Sequence, residues 1–187
     1  MKRAFVGFLF FLMLGPATLV AQKKAKCTVT TQSGTEFTGY IKRYNIGDSM
    51  SGGFKLFKDK KKMWLYPGNL KKVVVNDTIV YRSLKDRRGD KSLMRLLVDG
   101  TPISLYLYSS KQLGNIPGEN LSTWFVSEFY LEKEPEALTY VDIKELRQNP
   151  EAFFPDAPML QERIKATKRD DIQLVAWVKA YNNTLEP

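Results

Sequence analysis

From Cys27 to Leu131 the chain runs in short β-branched and aromatic stretches broken by Gly, Pro, Asn and Asp, a pattern that predicts strands and turns. Thr28 to Thr31 is β-branched, and Ser33-Gly34 then marks a turn. Phe37 to Tyr44 alternates around Gly39, with Phe37 and Ile41 on one side. Ile46 to Gly53 carries three glycines and reads as a loop. Phe54 to Phe57 and Met63 to Tyr66 are strands, with the charged run Lys58 to Lys62 as a hairpin tip between them. Pro67-Gly68-Asn69 turns the chain again. Leu70 to Val75 and Thr78 to Tyr81 flank Asn76-Asp77, which makes this the clearest hairpin in the sequence. Met94 to Val98 and Ile103 to Tyr108 follow as strands around Asp99-Gly100. Lys111 to Asn120 reads as a Gly/Pro loop, and Thr123 to Leu131 as a long final strand.

After Pro135 the period lengthens. Val141 to Gln148 predicts a short helix ended by Asn149-Pro150. Phe153 and Phe154 are candidate core plugs. Asp156 is a candidate cap for a helix with Pro158 in its first turn, and Leu160 and Ile164 share a face at i, i+4. Asp170 and Gln173 have capping-box spacing. Leu174, Val178 and Tyr181 form a stripe with Trp177 beside it, and so wide an apolar face predicts docking on the open face of a sheet. Together these patterns predict an α+β fold: an antiparallel β-rich body, a curled sheet or partial barrel, packed by C-terminal helices. The β-rich part spans 27–131 and the helical part 136–187, in a single domain over 22–187.

Residues 1–21 stand apart. Lys2 and Arg3 precede an apolar run from Ala4 to Leu14, Gly15-Pro16 breaks it, and Ala21 supplies the small residue of a cleavage site. This is the pattern of a signal peptide cut after Ala21. It predicts a secreted or periplasmic protein of 166 residues that is not an integral membrane protein once cut. An uncleaved helix over Ala4 to Ala21 would lie at the lower limit of a bilayer span.

Composition narrows the chemistry. The chain has no histidine and one cysteine, which removes the commonest general base, the Ser-His and Cys-His pairs and soft-metal sites. Cys27 reads as a small apolar residue opening the first strand, or as one half of an intermolecular disulfide. Residues 22–131 hold 19 basic and 9 acidic side chains, a net +10, whereas residues 132–187 hold 8 and 11, a net −3. Export turns such a basic surface away from nucleic acid. It points toward an anionic glycan, a lipid headgroup or an acidic envelope protein.

Neither the dinucleotide nor the phosphate-loop glycine pattern occurs, and no Gly-x-Ser-x-Gly elbow is present. Glu132, Glu134 and Glu136 read as a solvated connector, Asp170-Asp171 as a helix start, and Asp86 and Asp90 as neighbours neutralised by Arg87 and Arg88. Arg88-Gly89-Asp90 matches the integrin-binding tripeptide, a match short enough for chance to supply. No residue is assigned to catalysis, a cofactor or a metal. The candidate site is an anion-binding strip of Lys55, Lys58, Lys60, Lys61, Lys62, Lys71 and Lys72 on two adjacent hairpins, interleaved with Phe54, Phe57, Trp64 and Tyr66. The expectation is a non-catalytic, envelope-associated binding or interaction module. The class-distinct alternative is a carboxylate-dependent hydrolase of envelope glycans.

The export signal, Thr38-Gly39-Tyr40-Ile41, Leu65-Tyr66-Pro67 and Leu70-Lys71-Lys72-Val73 resemble a group of secreted proteins of unknown function common in Bacteroidota. Leu93 to Gly100 with Ile103 to Tyr108, Phe154 to Leu160 and Ala180-Tyr181-Asn182 extend the resemblance over nearly the whole mature chain. It implies compartment and layout, and it carries over no catalytic residue. It also implies glycosylation acceptors of the Asp-Ser/Thr-apolar form at Asp48-Ser49-Met50 and Asp77-Thr78-Ile79.

Overall fold

The computed structural model describes residues 24–42, 50–114, 122–135, 137–168 and 173–184. The candidate signal at 1–21, the acceptor at Asp48-Ser49 and the capping residue Asp170 lie outside them. The described chain forms ten strands: β1 (Lys24–Thr31), β2 (Glu36–Lys42), β3 (Phe54–Lys58), β4 (Lys61–Leu65), β5 (Leu70–Val75), β6 (Ile79–Lys85), β7 (Lys91–Val98), β8 (Ser104–Gly114), β9 (Ser122–Glu134) and β10 (Ala137–Tyr140). Four helices follow: α1 (Ile143–Gln148), α2 (Pro150–Phe153), α3 (Pro158–Ala166) and α4 (Leu174–Thr184). The fold is α+β: one open antiparallel sheet, packed by the C-terminal helices.

The sheet order is β10-β9-β8-β7-β6-β5-β1-β2-β3-β4. It consists of two meanders, β1–β4 and β5–β10, joined where β1 pairs with β5 through Cys27↔Val75 and Val29↔Val73. The link from β4 to β5 is Tyr66–Asn69, which reaches at most about 17 Å. Crossing four strand spacings on a flat sheet takes about 19 Å. The sheet therefore curls. The link is pinned by the Ser83 hydroxyl donating to the Pro67 carbonyl at 2.6 Å and by the Gln32 N–H donating to Asn69 at 3.1 Å. Leu93 N–H also donates to the Ser51 carbonyl at 3.0 Å.

Two tight turns set the hairpin registers. Asp59-Lys60 and Asn76-Asp77 both have positive φ at both central residues (48° and 64°, 50° and 58°), as the twist of a two-residue hairpin demands. Gly39 serves a different need: a Cβ there would lie 2.8 Å from the Phe57 carbonyl and 2.9 Å from Leu56 Cγ. Its bare backbone lets β2 approach β3.

One face of the sheet carries two cores. Inside the curl, Cys27, Val29, Ile41, Leu56, Val73 and Tyr81 are buried together. Further along, Val98, Ile103, Leu105 and Leu131 meet Phe154, Ile164, Trp177 and Val178 of the helical layer. The predicted α4 stripe docks there, and Asn182 locks it: its side chain accepts from Ile103 N–H at 3.2 Å and donates to Ile103 C=O at 2.8 Å. The opposite face holds a third core of Leu84, Met94, Tyr106, Tyr108 and Tyr130.

Three local expectations are corrected. The Lys111–Asn120 loop is strand through Gly114, where β8 pairs with β9 down to Gly114↔Ser122. The strand ending at Leu131 runs on to Glu134 and is not the last, because β10 returns against it through Tyr140↔Tyr130. The position capping α3 is held by Ala157 with no side-chain bond, so Asp156 is not the cap. Asp142 does cap α1, accepting from the N–H groups of Lys144 and Glu145.

Candidate functional site: a cationic and aromatic sheet face

The outer face of β1–β4 is set by strand parity. Inward positions Phe54, Leu56, Met63 and Leu65 leave Lys55, Phe57, Lys62 and Trp64 outward. Register then builds two rows. One runs Lys26–Tyr40–Phe57–Lys62, through the pairs Lys26↔Tyr40, Tyr40↔Phe57 and Phe57↔Lys62. The other holds Lys24↔Lys42 and Lys55↔Trp64. Tyr66 continues beyond Trp64, with ring centroids 6.0 Å apart.

Tyr40, Trp64 and Tyr66 are 53%, 47% and 55% exposed, so three large rings face solvent on the same side of the sheet. Lysines surround them. Lys55 Nζ lies 5.3 Å from the Trp64 centroid. Lys26 is tied to Asp77 at 3.2 Å. Lys24 and Lys42 are cross-strand neighbours on this face. This face is polarised to receive negative charge, and its rings offer flat apolar area between the cations.

The seven lysines of the predicted strip do not form one strip. Lys55 and Lys62 lie on the face. Lys58, Lys60 and Lys61 gather at the β3–β4 turn, where Lys58 Nζ sits 5.9 Å from the Phe37 ring. Lys71 and Lys72 belong to β5, which pairs with β1, so β1 and β2 lie between them and β3. Hairpins consecutive in sequence are not neighbours in the sheet here, because the curl lets a short link carry the chain from the edge strand to β5. Lys24, Lys26 and Lys42 belong to the face as well, although the sequence pattern does not mark them. Their signal is register, which a linear scan does not contain.

The opposite end of the same face carries a polar network. Arg82 donates to Tyr106 Oη at 2.6 Å and to Glu132 Oε2 at 2.8 Å, and Tyr106 donates to the same Oε2 at 2.7 Å. Glu132 is only 7% exposed, so it is a buried acceptor on β9 and not part of a solvated connector. Tyr130 donates to Glu128 at 2.8 Å while Arg87 pairs with Glu128 at 2.9 Å. Asp86 is buried as well. It accepts from Arg88 and Asp90 N–H at 2.8 and 3.1 Å and from the Arg88 guanidinium at 3.3 Å, so the Arg88-Gly89-Asp90 stretch is folded back on Asp86. Burial, together with a carboxylate acceptor, pushes the Tyr106 and Tyr130 hydroxyls well above the usual tyrosine range. These groups are held as fixed acid–base partners that cross-link β6, β8 and β9.

Cys27 is fully buried in β1 and unpaired with any other cysteine, and burial pushes its thiol up to about 12. Among the described residues no group of three or more metal-ligating side chains converges, and no helix is long and apolar enough to cross a membrane. Comparison with known proteins finds no matching family model, no matching curated protein and no matching solved structure. The functional reading therefore rests on the geometry of the chain itself.

Proposed function

We propose that this protein is an exported, non-catalytic binding module whose β1–β4 face holds an acidic polysaccharide of the cell envelope. The observation that carries the reading is the set Tyr40, Trp64 and Tyr66, exposed on one side of the sheet and set among Lys24, Lys42, Lys55 and Lys62. Aromatic rings stack on the apolar C–H faces of sugar rings, and the ammonium groups meet carboxylates or sulfates along the polymer. A lipid surface fits less well. The lysines stand on the same face as the rings, so insertion of the rings would drag several cations out of water. The N-terminal charged, apolar and small-residue pattern supports export and favours a glycan over nucleic acid.

The test is cosedimentation of the protein with three probes at equal charge: polygalacturonate, anionic phospholipid vesicles and single-stranded DNA, with dextran as the neutral control. The reading expects retention by polygalacturonate above the other three, weakening as salt rises. Preferential retention by vesicles or DNA, or none by polygalacturonate, contradicts it.

A further inference from the structure

A groove of about 700 Å³ opens where β10 ends, at the other end of the sheet from the cationic face. Its floor is the β9 edge at Ser127–Phe129, and Tyr140, Ile143 and Arg147 are among the residues that wall it. β10 covers that edge only as far as Tyr140↔Tyr130. One more rung, Val141 N–H to Phe129 C=O at 2.9 Å, completes the pairing. Ladder alternation then directs the Ser127 N–H and C=O to the same side, into the groove. The chain itself turns away there, because Asp142 leaves the strand to cap α1.

The charges around the groove are asymmetric. Its acids are engaged: Asp142 by Lys144 and Glu145 N–H at 2.7 and 3.1 Å, and Glu128 by Arg87 and Tyr130. Its bases are not. Among the described residues Lys144 and Arg147 form no ion pair, and Arg147 Nε is buried without a hydrogen-bond partner. A buried donor left unpaired is costly, and the Arg147 side chain that carries it lines the groove.

We propose that the groove binds an extended peptide segment carrying a carboxylate. The segment adds to β9 at Ser127 in line with β10, and its carboxylate meets the Arg147 guanidinium. Strand addition supplies main-chain hydrogen bonds, and the Arg147 fork supplies selectivity for the acid. The proposal uses no residue of the cationic face and is independent of the glycan reading.

The experiment is an NMR titration of the isotope-labelled full chain with three probes. The first is a pool of acetylated, amidated pentapeptides with Asp at the centre and Val, Thr, Ser and Ile elsewhere. The second is the same pool with Asn at the centre, and the third is sodium acetate. The proposal expects the Asp pool to shift the Ser127 amide and the Arg147 Nε–H together, and to bind about tenfold tighter than the Asn pool, the effect of losing one charge-assisted hydrogen bond. Arg147→Gln, with its fold verified by circular dichroism, should abolish the preference for Asp while leaving the Ser127 shift. No coupled shift at Ser127, equal binding of the two pools, or acetate binding as tightly as the Asp pool overturns the proposal.

Discussion

The ammonium of Lys55 sits 5.3 Å from the centroid of the Trp64 ring, and the two residues are cross-strand partners on β3 and β4. The contact leaves the indole 47% exposed. A cation–π contact at an exposed site contributes about 0.5–1 kcal/mol. Trp64→Ala should therefore lower stability by no more than about 1 kcal/mol in urea denaturation. A loss of several kcal/mol would show that Trp64 belongs to the core and not to a ligand face.

Lys60 adopts φ 64° in the β3–β4 turn, a backbone region that costs any residue with a Cβ. Its side chain is exposed and makes no bond that the turn needs. Lys60→Gly should raise the urea midpoint, by the equivalent of about 0.5–1 kcal/mol. The gain confirms the two-residue turn, and a loss would contradict its register.

Glu132 is the shared acceptor of Arg82 and Tyr106. Glu132→Ala strands a buried hydroxyl and a half-exposed guanidinium. Because water still reaches the Arg82 end, the expected loss is about 2–3 kcal/mol, below that of a fully buried pair. Tyr106→Phe removes one donor and should cost about 1 kcal/mol. The double variant should cost less than the two losses added, since both act on one network.

Burial raises the pKa of Tyr106 and Tyr130 above the ordinary 10.0, and of Cys27 from 9.0 to about 12. In each case the unfolded chain gives up its proton first as pH climbs. The stability these groups contribute is whole below pH 9 and is lost from there upward, Cys27 first and the tyrosines from pH 10. The urea midpoint should be flat through this contribution below pH 9 and fall above it. Cys27→Ala should delay the onset to about pH 10, the ordinary tyrosine value. The native thiol should also resist disulfide reagents at pH 8 and react on unfolding.

Local features were legible in the sequence, and non-local ones were not. Asn76-Asp77 announced its hairpin because the turn chemistry lies in two adjacent residues. The α4 stripe announced its docking because helical period is local as well. The pairing of β5 with β1 instead of β4 was invisible. It follows from curling, which depends on the whole inward set packing at once. That hidden pairing is why two hairpins adjacent along the chain do not carry Lys71 and Lys72 next to Lys62, and why Lys24, Lys26 and Lys42 share the face instead. Glu132 looked like a connector for the same reason: its partners Tyr106 and Arg82 are 26 and 50 residues away.

The central claim is that rings and lysines of the β1–β4 face act together on an acidic glycan. Affinity electrophoresis through gels containing polygalacturonate tests it most directly, comparing wild type, Trp64→Ala and the Lys55→Gln/Lys62→Gln double variant at two salt concentrations. The account predicts retardation of the wild type that fades with salt, a loss of at least about tenfold in Trp64→Ala, the equivalent of one stacking contact of about 1.4 kcal/mol, and a shallower salt dependence in the lysine variant. Retardation of Trp64→Ala equal to that of the wild type would contradict it.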